Sequence, residues 1–243
     1  MNGAPSDPSA EPEPDCPFCQ DGGWVHQLGE DGKIDYRVPV VRCKCKAEYD
    51  DTRHRLWLLK MCKLPADAGR LTFDTWVKHD DLKEPYEAAL AFANGETDVR
   101  WLTIMARVDR GKSHLAMAIC HRYIERGIPA RYLFVPSGLD ALRAGYSADG
   151  PDGYDAQLRH MMNVDLLILD DLGAQNPTPW AQEKLMMIVE ERDMAGLPLV
   201  VTTNKPLDDL PGDDEHRIGS RLLRHRYGQI ITIKAPEYRL RHK

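Results

Sequence analysis

Long hydrophobic runs are missing from this chain of 243 residues. A transmembrane helix needs about eighteen or more consecutive apolar residues, so we expect no segment to cross a membrane. Residues 1–14 also lack Lys, Arg and any apolar stretch, and they are rich in Pro and acidic side chains. A secretory signal has the opposite pattern. We therefore predict a cytoplasmic protein that begins with a disordered tail over residues 1–14.

Basic side chains are outnumbered, since 32 Lys and Arg face 38 Asp and Glu and give a formal net charge of -6. This balance argues against indiscriminate binding to nucleic acid. The stretch from Arg217 to Lys243 is an exception, with eight Lys or Arg residues and one acid, Glu237. It is compatible with a DNA-binding face, with arginines that reach a nucleotide in a neighbouring subunit, or with a solvated terminus. Composition leaves these alternatives open.

Cysteine is scarce, and four of the six cysteines form two close pairs, Cys16/Cys19 and Cys43/Cys45. Disulfides are rare in the cytosol, whereas four thiolates suit one tetrahedral zinc ion. A segment of about thirty residues buries too little apolar surface to fold alone, so the metal would stabilise it. We predict a zinc-binding module over residues 15–47. His26 is a substitute ligand if one thiol fails, and an iron–sulfur cluster is the alternative metal group.

The rest of the chain divides into two parts. Residues 48–70 form a linker, and we predict a linker helix over its polar, helix-compatible stretch from about Glu48 to Cys62, which ends near Pro65. From 71 to 243, short apolar runs alternate with helical segments, which is typical of a parallel α/β sheet. The expected strands are Trp101–Met105, Arg131–Val135, Leu166–Leu169, Leu199–Thr203 and Ile230–Ile233. The expected helices lie between them, at 112–126, 137–146, 154–162, 180–194 and 217–225.

Residues 106–113, Ala-Arg-Val-Asp-Arg-Gly-Lys-Ser, match a phosphate-binding loop except that Ala106 replaces the usual first Gly. Backbone N–H groups at a helix N-terminus bind phosphate oxygens, and Gly111 lets the backbone approach them. Lys112 would contact the β- and γ-phosphates and Ser113 would ligate magnesium. We predict that ATP or ADP contacts Ala106, Asp109, Arg110, Gly111, Lys112, Ser113 and His114. A chance Gly-Lys-Ser tripeptide is the alternative, and the bulky Arg110 is unusual at its position.

Two carboxylates, Asp170 and Asp171, follow the apolar run 166–169 about sixty residues after this loop. A strand that ends in an open parallel sheet points into the ligand crevice, so Asp170 would hold magnesium. Asp171 would then polarise the attacking water. Paired acids also cap helices, but that does not account for their place after a buried strand. Asn204, which follows the run 199–203, would sense the γ-phosphate or simply start a turn.

These motifs, in this order, resemble the bacterial replicative helicase loader family of the DnaC/DnaI type, within the AAA+ ATPases. The resembling segments are Gly-Lys-Ser-His-Leu-Ala at 111–116, Leu-Asp-Asp-Leu-Gly at 169–173, Thr-Thr-Asn at 202–204, Arg-Ile-Gly-Ser-Arg-Leu at 217–222 and Tyr-Arg at 238–239. The resemblance covers the chain from about Leu71 onward. It implies an α/β P-loop AAA+ fold with a five-stranded parallel sheet and no C-terminal lid. The cysteine spacing separately predicts a small zinc-ribbon-like module on the N-terminal side of this fold.

The resemblance also implies roles for individual residues. Asp170 coordinates magnesium and Asp171 takes the position of the catalytic base, with an Asp where many AAA+ enzymes have Glu. Asn204 is the first sensor and Arg239 the second. Arg221 is the arginine finger, which completes the site of a neighbouring subunit in a homo-oligomer, and Arg217 is the alternative candidate. The catalytic residues would therefore be Lys112, Asp171, Asn204 and Arg221.

The predicted function is ATP-dependent loading of a replicative hexameric DNA helicase, with the zinc module docking on the helicase. The resemblance implies that single-stranded DNA binds near residues 137–162, where Arg143, Arg159 and His160 are the basic side chains. A transposition-helper ATPase that acts on duplex DNA is the second hypothesis. The third is a nucleotide-gated binding module without hydrolysis, a reading that the departures at Ala106, Arg110 and Asp171 favour.

Overall fold

The computed structural model describes residues 16–20, 22–28, 33–34, 38–77, 79–147, 150, 153–211, 213 and 216–235. The predicted tail over residues 1–14 and the predicted second sensor, Arg239, lie outside the described residues. The chain forms two compact units, Met1–Leu56 and Trp57–Lys243. Among the described helices, none combines the length and apolar character needed to cross a bilayer.

The first unit contains a small antiparallel pair of strands, β1 (Trp24–Val25) and β2 (Val41–Arg42). The helix α1 (Lys44–Cys62) starts directly after Cys43 and continues into the second unit. The helix expected over about 48–62 of the linker therefore starts earlier, and it ends at Cys62 as predicted. Lys63 ends it in the left-handed region, with φ of 53°. Pro65 follows closely and disfavours further helix.

The second unit is built on a parallel sheet with the strand order β4-β5-β6-β3-β7. Its strands are β3 (Trp101–Ala106), β4 (Ala130–Phe134), β5 (Leu166–Asp170), β6 (Leu199–Thr203) and β7 (Gly228–Ile233). The five-stranded parallel sheet predicted from the sequence is confirmed, with strand ends displaced by at most two residues. Every residue of β5 and β6 is buried, as expected when helices cover both faces of a sheet.

The helices of this unit are α2 (Asp80–Asn94), α3 (Lys112–Glu125), α4 (Val135–Ala144), α5 (Tyr154–Asn163), α6 (Pro179–Ala195) and α7 (Arg217–Arg224). All except α2 were expected from the sequence. Pro85 lies inside α2 and obscures its pattern, because proline is rare in helix interiors. Leu82, Ala89 and Phe92 nevertheless lie on its buried side. Gly95 ends it with φ of 72°.

Alternate residues of β5 belong to two core clusters, as the two-residue repeat of a strand requires. Leu166 and Ile168 pack in the cluster with α2 and α3, while Leu167 and Leu169 pack in the cluster with α6. Parallel strands place their carboxyl ends at one edge of the sheet. The loops that follow β3, β5 and β6 therefore meet at this edge, which we call the nucleotide edge.

Candidate functional site: a nucleotide pocket and a cysteine cluster

The loop between β3 and α3 contains the phosphate-binding motif. Its conformation requires glycine at position 111 but not at position 106. Ala106 is the last residue of β3 and is buried in the core, so its methyl group is accommodated. Asp109 and Gly111 have positive φ angles of 60° and 89°. A Cβ atom at Gly111 would lie 2.6 Å from the indole of Trp76. The glycine that the chain retains is therefore the one that the backbone and its neighbour require.

Lys112 begins α3 inside this loop. Its Nζ donates a hydrogen bond to the carbonyl oxygen of Arg107 at 3.2 Å, and the side chain is mostly buried. Burial lowers the pKa of Lys112, while the nearby carboxylates of Asp171 and Asp170 raise it. The loop thus places a cation beside the free N–H groups of a helix N-terminus, an arrangement that suits phosphate.

Asp170, at the end of β5, is held by three hydroxyl groups. Its Oδ1 accepts hydrogen bonds from Ser113 Oγ at 3.1 Å and Thr202 Oγ1 at 2.5 Å. Its Oδ2 accepts one from the Tyr132 hydroxyl at 2.5 Å, and Asp170 is 2% exposed. The two residues predicted to ligate magnesium, Ser113 and Asp170, are therefore in direct contact. Both are oxygen donors of the kind that magnesium prefers.

Sequence reasoning missed Tyr132 and Thr202. Tyr132 pairs with Ile168 across the sheet, two residues before Asp170, and so shares a face with Asp170. Thr202 is a polar residue within the buried strand β6, which lies beside β5. A single polar residue in a buried strand suggests that it contacts another polar group. Strand order and register decide which group that is.

Asp171 differs from its neighbour in environment. It has φ of 61°, in the left-handed region that Asp tolerates, and its N–H donates to Thr202 Oγ1 at 2.9 Å. The side chain is half-buried. Burial raises its pKa, Lys112 lowers it, and Asp170 raises it. A carboxylate with a raised pKa next to a phosphate site is suited to accept a proton.

Asn204 and Arg221 occupy different positions relative to this centre. Asn204 is exposed and follows β6, so it lies at the nucleotide edge beside β5. Arg221 lies on α7, where it donates to Glu190 Oε1 at 2.8 Å. The same oxygen accepts a bond from Arg217 at 3.2 Å. Both candidates for the arginine finger therefore share one acidic partner on α6.

The start of α7 is fixed by Asp213, which sequence reasoning also missed. Its buried carboxylate accepts hydrogen bonds from the backbone N–H groups of Arg217, Ile218 and Gly219 at 2.8, 3.2 and 2.8 Å. A carboxylate at a helix N-terminus satisfies free donors and interacts favourably with the helix dipole. The helix that carries Arg221 is thus held rigidly at its first turn.

A cavity of about 620 Å³ lies beside the phosphate-binding loop. Its walls include Leu71, Trp76, Val77, Leu82, Val108 and Lys112. The segment 71–77 is tied to α3 by His114, whose Nε2 lies 2.8 Å from the carbonyl oxygen of Thr72. Burial lowers the pKa of His114, which favours the neutral ring. A cavity with apolar walls and a cationic end fits a nucleoside triphosphate.

The remaining predicted residues of this unit are Arg110 and the basic side chains on α4 and α5. Arg110 Nη1 donates to the carbonyl oxygen of Lys234 at 3.3 Å, which gives its bulky side chain a fixed place. His160 on α5 is half-buried, and burial lowers its pKa. It is therefore a poor cation for a phosphate, unlike the exposed Arg143 and Arg159.

Aromatic side chains group around α4, α5 and α6. Tyr146 and Tyr154 stack with ring centroids 4.2 Å apart, and Trp180 Nε1 donates to the Tyr146 hydroxyl at 2.9 Å. The guanidinium of Arg143 lies 4.5 Å from the Trp180 ring, and the Lys184 ammonium lies 5.9 Å from the Tyr154 ring. We call these five residues the aromatic cluster. Sequence reasoning had found only Arg143 among them.

The four paired cysteines come together in the first unit. The Sγ atoms of Cys16, Cys19, Cys43 and Cys45 all lie within 4.8 Å of one another. Those of Cys16 and Cys43 are 3.7 Å apart, and those of Cys19 and Cys45 are 3.4 Å apart. Tetrahedral zinc with Zn–S bonds of about 2.3 Å would separate its sulfurs by roughly 3.8 Å. The geometry therefore fits a zinc ion.

Local turns prepare this cluster. The N–H groups of Cys19 and Phe18 lower the pKa of Cys16 to about 7, which favours its thiolate, whereas hydrogen bonds with the neighbouring thiols of Cys19 and Cys16 raise the pKa of Cys45. The first turn of α1 carries Cys45, and the N–H of Ala47 bonds to the carbonyl oxygen of Cys43 at 3.1 Å. Among the residues that the structure describes, the metal-binding group comprises the four cysteines and does not include His26.

Comparisons with known proteins agree with this geometry. The family model described as IstB-like ATP binding protein matches residues 34–243. YqaM of Bacillus subtilis is 24% identical over 94% of this chain and 85% of its own length. The replicative helicase loader DnaC of Escherichia coli is 28% identical over 51% of this chain, and the match spans about half of that loader, 49%.

A crystal structure of the DnaC helicase loader has a TM-score of 0.60 at 19% identity, and the superposition covers 70% of this chain and 100% of that one. At this identity the likeness concerns the fold, and it confirms the predicted AAA+ architecture. The phosphate-binding loop, the acidic strand end and the family match point the same way. The chain belongs to the family of IstB-like ATP-binding proteins, and its larger unit has the AAA+ fold of the DnaC helicase loader.

Proposed function

We propose that this protein is an ATPase that loads a replicative DNA helicase. One observation carries the proposal: Ser113 and Asp170 meet beside a nucleotide-sized cavity in a chain whose relatives include the E. coli loader. Loading would require ATP binding, assembly of subunits side by side, contact with single-stranded DNA, and docking on the helicase through the cysteine module.

The nucleotide chemistry follows from the positions of the side chains. Lys112 binds the β- and γ-phosphates, and Ser113 and Asp170 hold the magnesium ion. That ion, when bound, neutralises charge on the phosphates. Asp171 accepts the proton of the attacking water and Asn204 orients that water. Arg221 stabilises the charge on the γ-phosphate of a neighbouring subunit, for which it must leave Glu190.

Asp170 and Asp171 have different roles because their surroundings differ. Asp170 is fixed by hydroxyl groups on α3, β4 and β6, so it is a rigid ligand. Asp171 is half-buried and has a raised pKa, so it is the better base. An Asp side chain is shorter than Glu, and we expect slow turnover for that reason.

Single-stranded DNA would bind at the aromatic cluster. Bases stack on exposed aromatic rings without regard to sequence, and adjacent cations attract the backbone. Tyr146 is 56% exposed, and Arg143 and Lys184 flank the rings. These features support a contact that is based on stacking as well as charge, which the thin set of basic residues on α4 and α5 could not supply alone.

The test is ATP hydrolysis by the purified protein, with and without single-stranded DNA, beside an Asp171→Asn variant. We expect slow turnover that single-stranded DNA stimulates and that the variant loses, while both proteins bind ATP. Capture of a purified replicative helicase by the full chain then tests loading. Turnover without helicase binding would reject the loader and leave an ATPase with another partner.

A transposition-helper ATPase that acts on duplex DNA is the second candidate. The match to the IstB-like family, over residues 34–243, concerns ATP binding, which this candidate shares with the loader. Stimulation by duplex DNA in place of single strands, with no helicase binding, would favour it. ATP binding without turnover under any condition would instead identify a nucleotide-gated binding module.

A further inference from the structure

A second cavity, of about 450 Å³, lies at the edge of the sheet opposite the nucleotide edge. Arg100 contributes to it and directly precedes β3, whose other end leads into the phosphate-binding loop. The six residues of β3 separate the two sites by roughly 20 Å, at about 3.3 Å per residue. We call this cavity the basic pocket, and its other charged or aromatic lining residues are Asp193, Arg221, Arg224, His225, Arg226 and Tyr227.

Charge is concentrated in the basic pocket. Among the described residues that line it, four are Arg and one is acidic, Asp193. Asp193 already pairs with His225, at 3.3 Å between Oδ1 and Nε2. The whole chain carries a net charge of -6, so composition does not explain this grouping. Like charges that are held together destabilise a fold unless an anion offsets them.

Buried contacts hold the pocket in shape. His225 stacks on the buried Trp101 with ring centroids 4.1 Å apart and planes within 5°. The guanidinium groups of Arg100 and Arg226 lie 5.5 and 5.2 Å from the Tyr227 ring. Arg100 Nη1 also donates to the carbonyl oxygen of Gly196 at 2.9 Å. Because the guanidinium groups are pre-positioned, they lose less entropy when they bind a ligand.

We infer that the basic pocket binds the phosphodiester backbone of a nucleic acid. The planar guanidinium group forms paired hydrogen bonds with phosphate, and Arg224 and Arg226 are exposed. Among the described lining residues Arg predominates, and the one acidic side chain, Asp193, is already paired with His225, so the pocket complements a polyanion. The inference shares with the proposed function the premise that this protein acts on nucleic acid; of the lining residues that it counts, Arg221 also enters that proposal, whereas Arg100, Arg224 and Arg226 do not.

The inference also divides the basic stretch that begins at Arg217. Arg217 and Arg221 both pair with Glu190, and Arg221 is the candidate finger. Arg224 and Arg226 lie further along and line the basic pocket with Arg100. The sequence left two roles open for this stretch, contact with a nucleotide in a neighbouring subunit and binding of DNA. The first role falls to Arg221, and the second falls to Arg224 at the end of α7 and Arg226 in the following turn.

The test uses the full chain without nucleotide and two labelled oligonucleotides, one single-stranded and one duplex of the same sequence. Fluorescence anisotropy gives Kd at several salt concentrations for the wild type and an R224Q/R226Q variant. Loss of two phosphate contacts should raise Kd roughly tenfold and reduce the slope of log K against log salt by roughly 1.4 for a single strand or 1.8 for duplex. The oligonucleotide whose Kd rises more in the variant identifies the form of nucleic acid that the basic pocket binds.

The matched control is K60Q/K83Q, which removes two exposed charges of the same unit outside the basic pocket. It should bind DNA and ATP as the wild type does, and R224Q/R226Q should keep the wild-type ATP affinity. If R224Q/R226Q fails to fold, by circular dichroism, the exposed Arg226→Gln change alone gives half the effect. Unchanged DNA binding in these variants, or an equal loss in the control, overturns the inference.

Two further outcomes also overturn the inference. Loss of self-association with intact DNA binding would assign the basic pocket to an acidic protein surface. If the wild type binds neither the single-stranded nor the duplex oligonucleotide, nucleic acid is not the ligand of the basic pocket. Helicase capture by the same protein remains a separate measurement, so failure of this inference is distinguishable from failure of the loader proposal.

Discussion

The cysteine module and the sheet unit are stabilised in different ways. In the sheet unit, β5 and β6 are buried along their whole length and helices cover both faces. In the module, Phe18 and Trp24 are 84% and 55% exposed, while Cys16 is 7% exposed. Among its described residues the module buries Cys16 and Cys43, keeps Cys19 and Cys45 half-buried, and leaves Phe18 and Trp24 exposed. One unit therefore depends on apolar burial, whereas the other is expected to depend on the metal ion that its cysteines would bind.

Removal of the metal should have the largest effect and should separate the two units. We predict about one zinc per chain and loss of ordered structure over residues 16–47 in a Cys19→Ser variant, because zinc supplies about 10–16 kcal/mol in comparable sites. ATP affinity should stay within about twofold, since the larger unit folds on its own core. Metal analysis and hydrogen exchange measure both. His26→Ala is the control and should keep its zinc; a zinc-free wild type would contradict the site.

Lys112→Ala tests the sheet unit without touching its core. The loss of a charged contact with phosphate, worth about 1.5–3 kcal/mol, should weaken ATP binding by roughly 10- to 150-fold. Zinc content and melting temperature of the nucleotide-free protein should not change. Titration calorimetry with ATP gives the affinity, and Lys83→Ala is the matched exposed control. An unchanged affinity in Lys112→Ala would reject the phosphate-binding loop.

Tyr132→Phe tests the support of Asp170. The lost hydroxyl leaves Oδ2 of a buried carboxylate without its partner on β4, which should cost about 1–3 kcal/mol of stability. We also expect half-maximal turnover to need more magnesium, because Asp170 is less well fixed. Urea unfolding and magnesium titrations measure the two effects. Tyr123→Phe, which removes a buried phenol hydroxyl outside the Asp170 contacts, should leave the magnesium requirement unchanged.

The smallest effect concerns pH. Burial raises the pKa of Asp171, so the acid limb of turnover should lie above about pH 3.9, the ordinary value for Asp. Above the raised pKa the carboxylate is ionised and accepts a proton; as pH falls through it, turnover is lost while ATP stays bound. Pre-steady-state phosphate release against pH measures the limb. If the residual turnover of the Asp171→Asn variant is lost over the same pH range, a group other than Asp171 causes the loss.

The sequence by itself determined the order of the elements and most of the nucleotide site. Apolar runs marked all five strands of the parallel sheet, and the chemistry at their ends marked Lys112, Ser113 and Asp170. These signals are local, because strand burial and a Gly-Lys-Ser turn are written in consecutive residues. The pairing of the four cysteines was equally readable, since two short spacings are enough to suggest one metal site.

Only the tertiary structure decided which distant residues meet. Strand order and register brought Tyr132 and Thr202 to Asp170, and the packing of segment 71–77 placed Trp76 over Gly111. The basic pocket joins Arg100 to Arg224 across more than half of the sheet unit's sequence. Such contacts depend on how strands are ordered and helices are packed, and no local pattern encodes that choice.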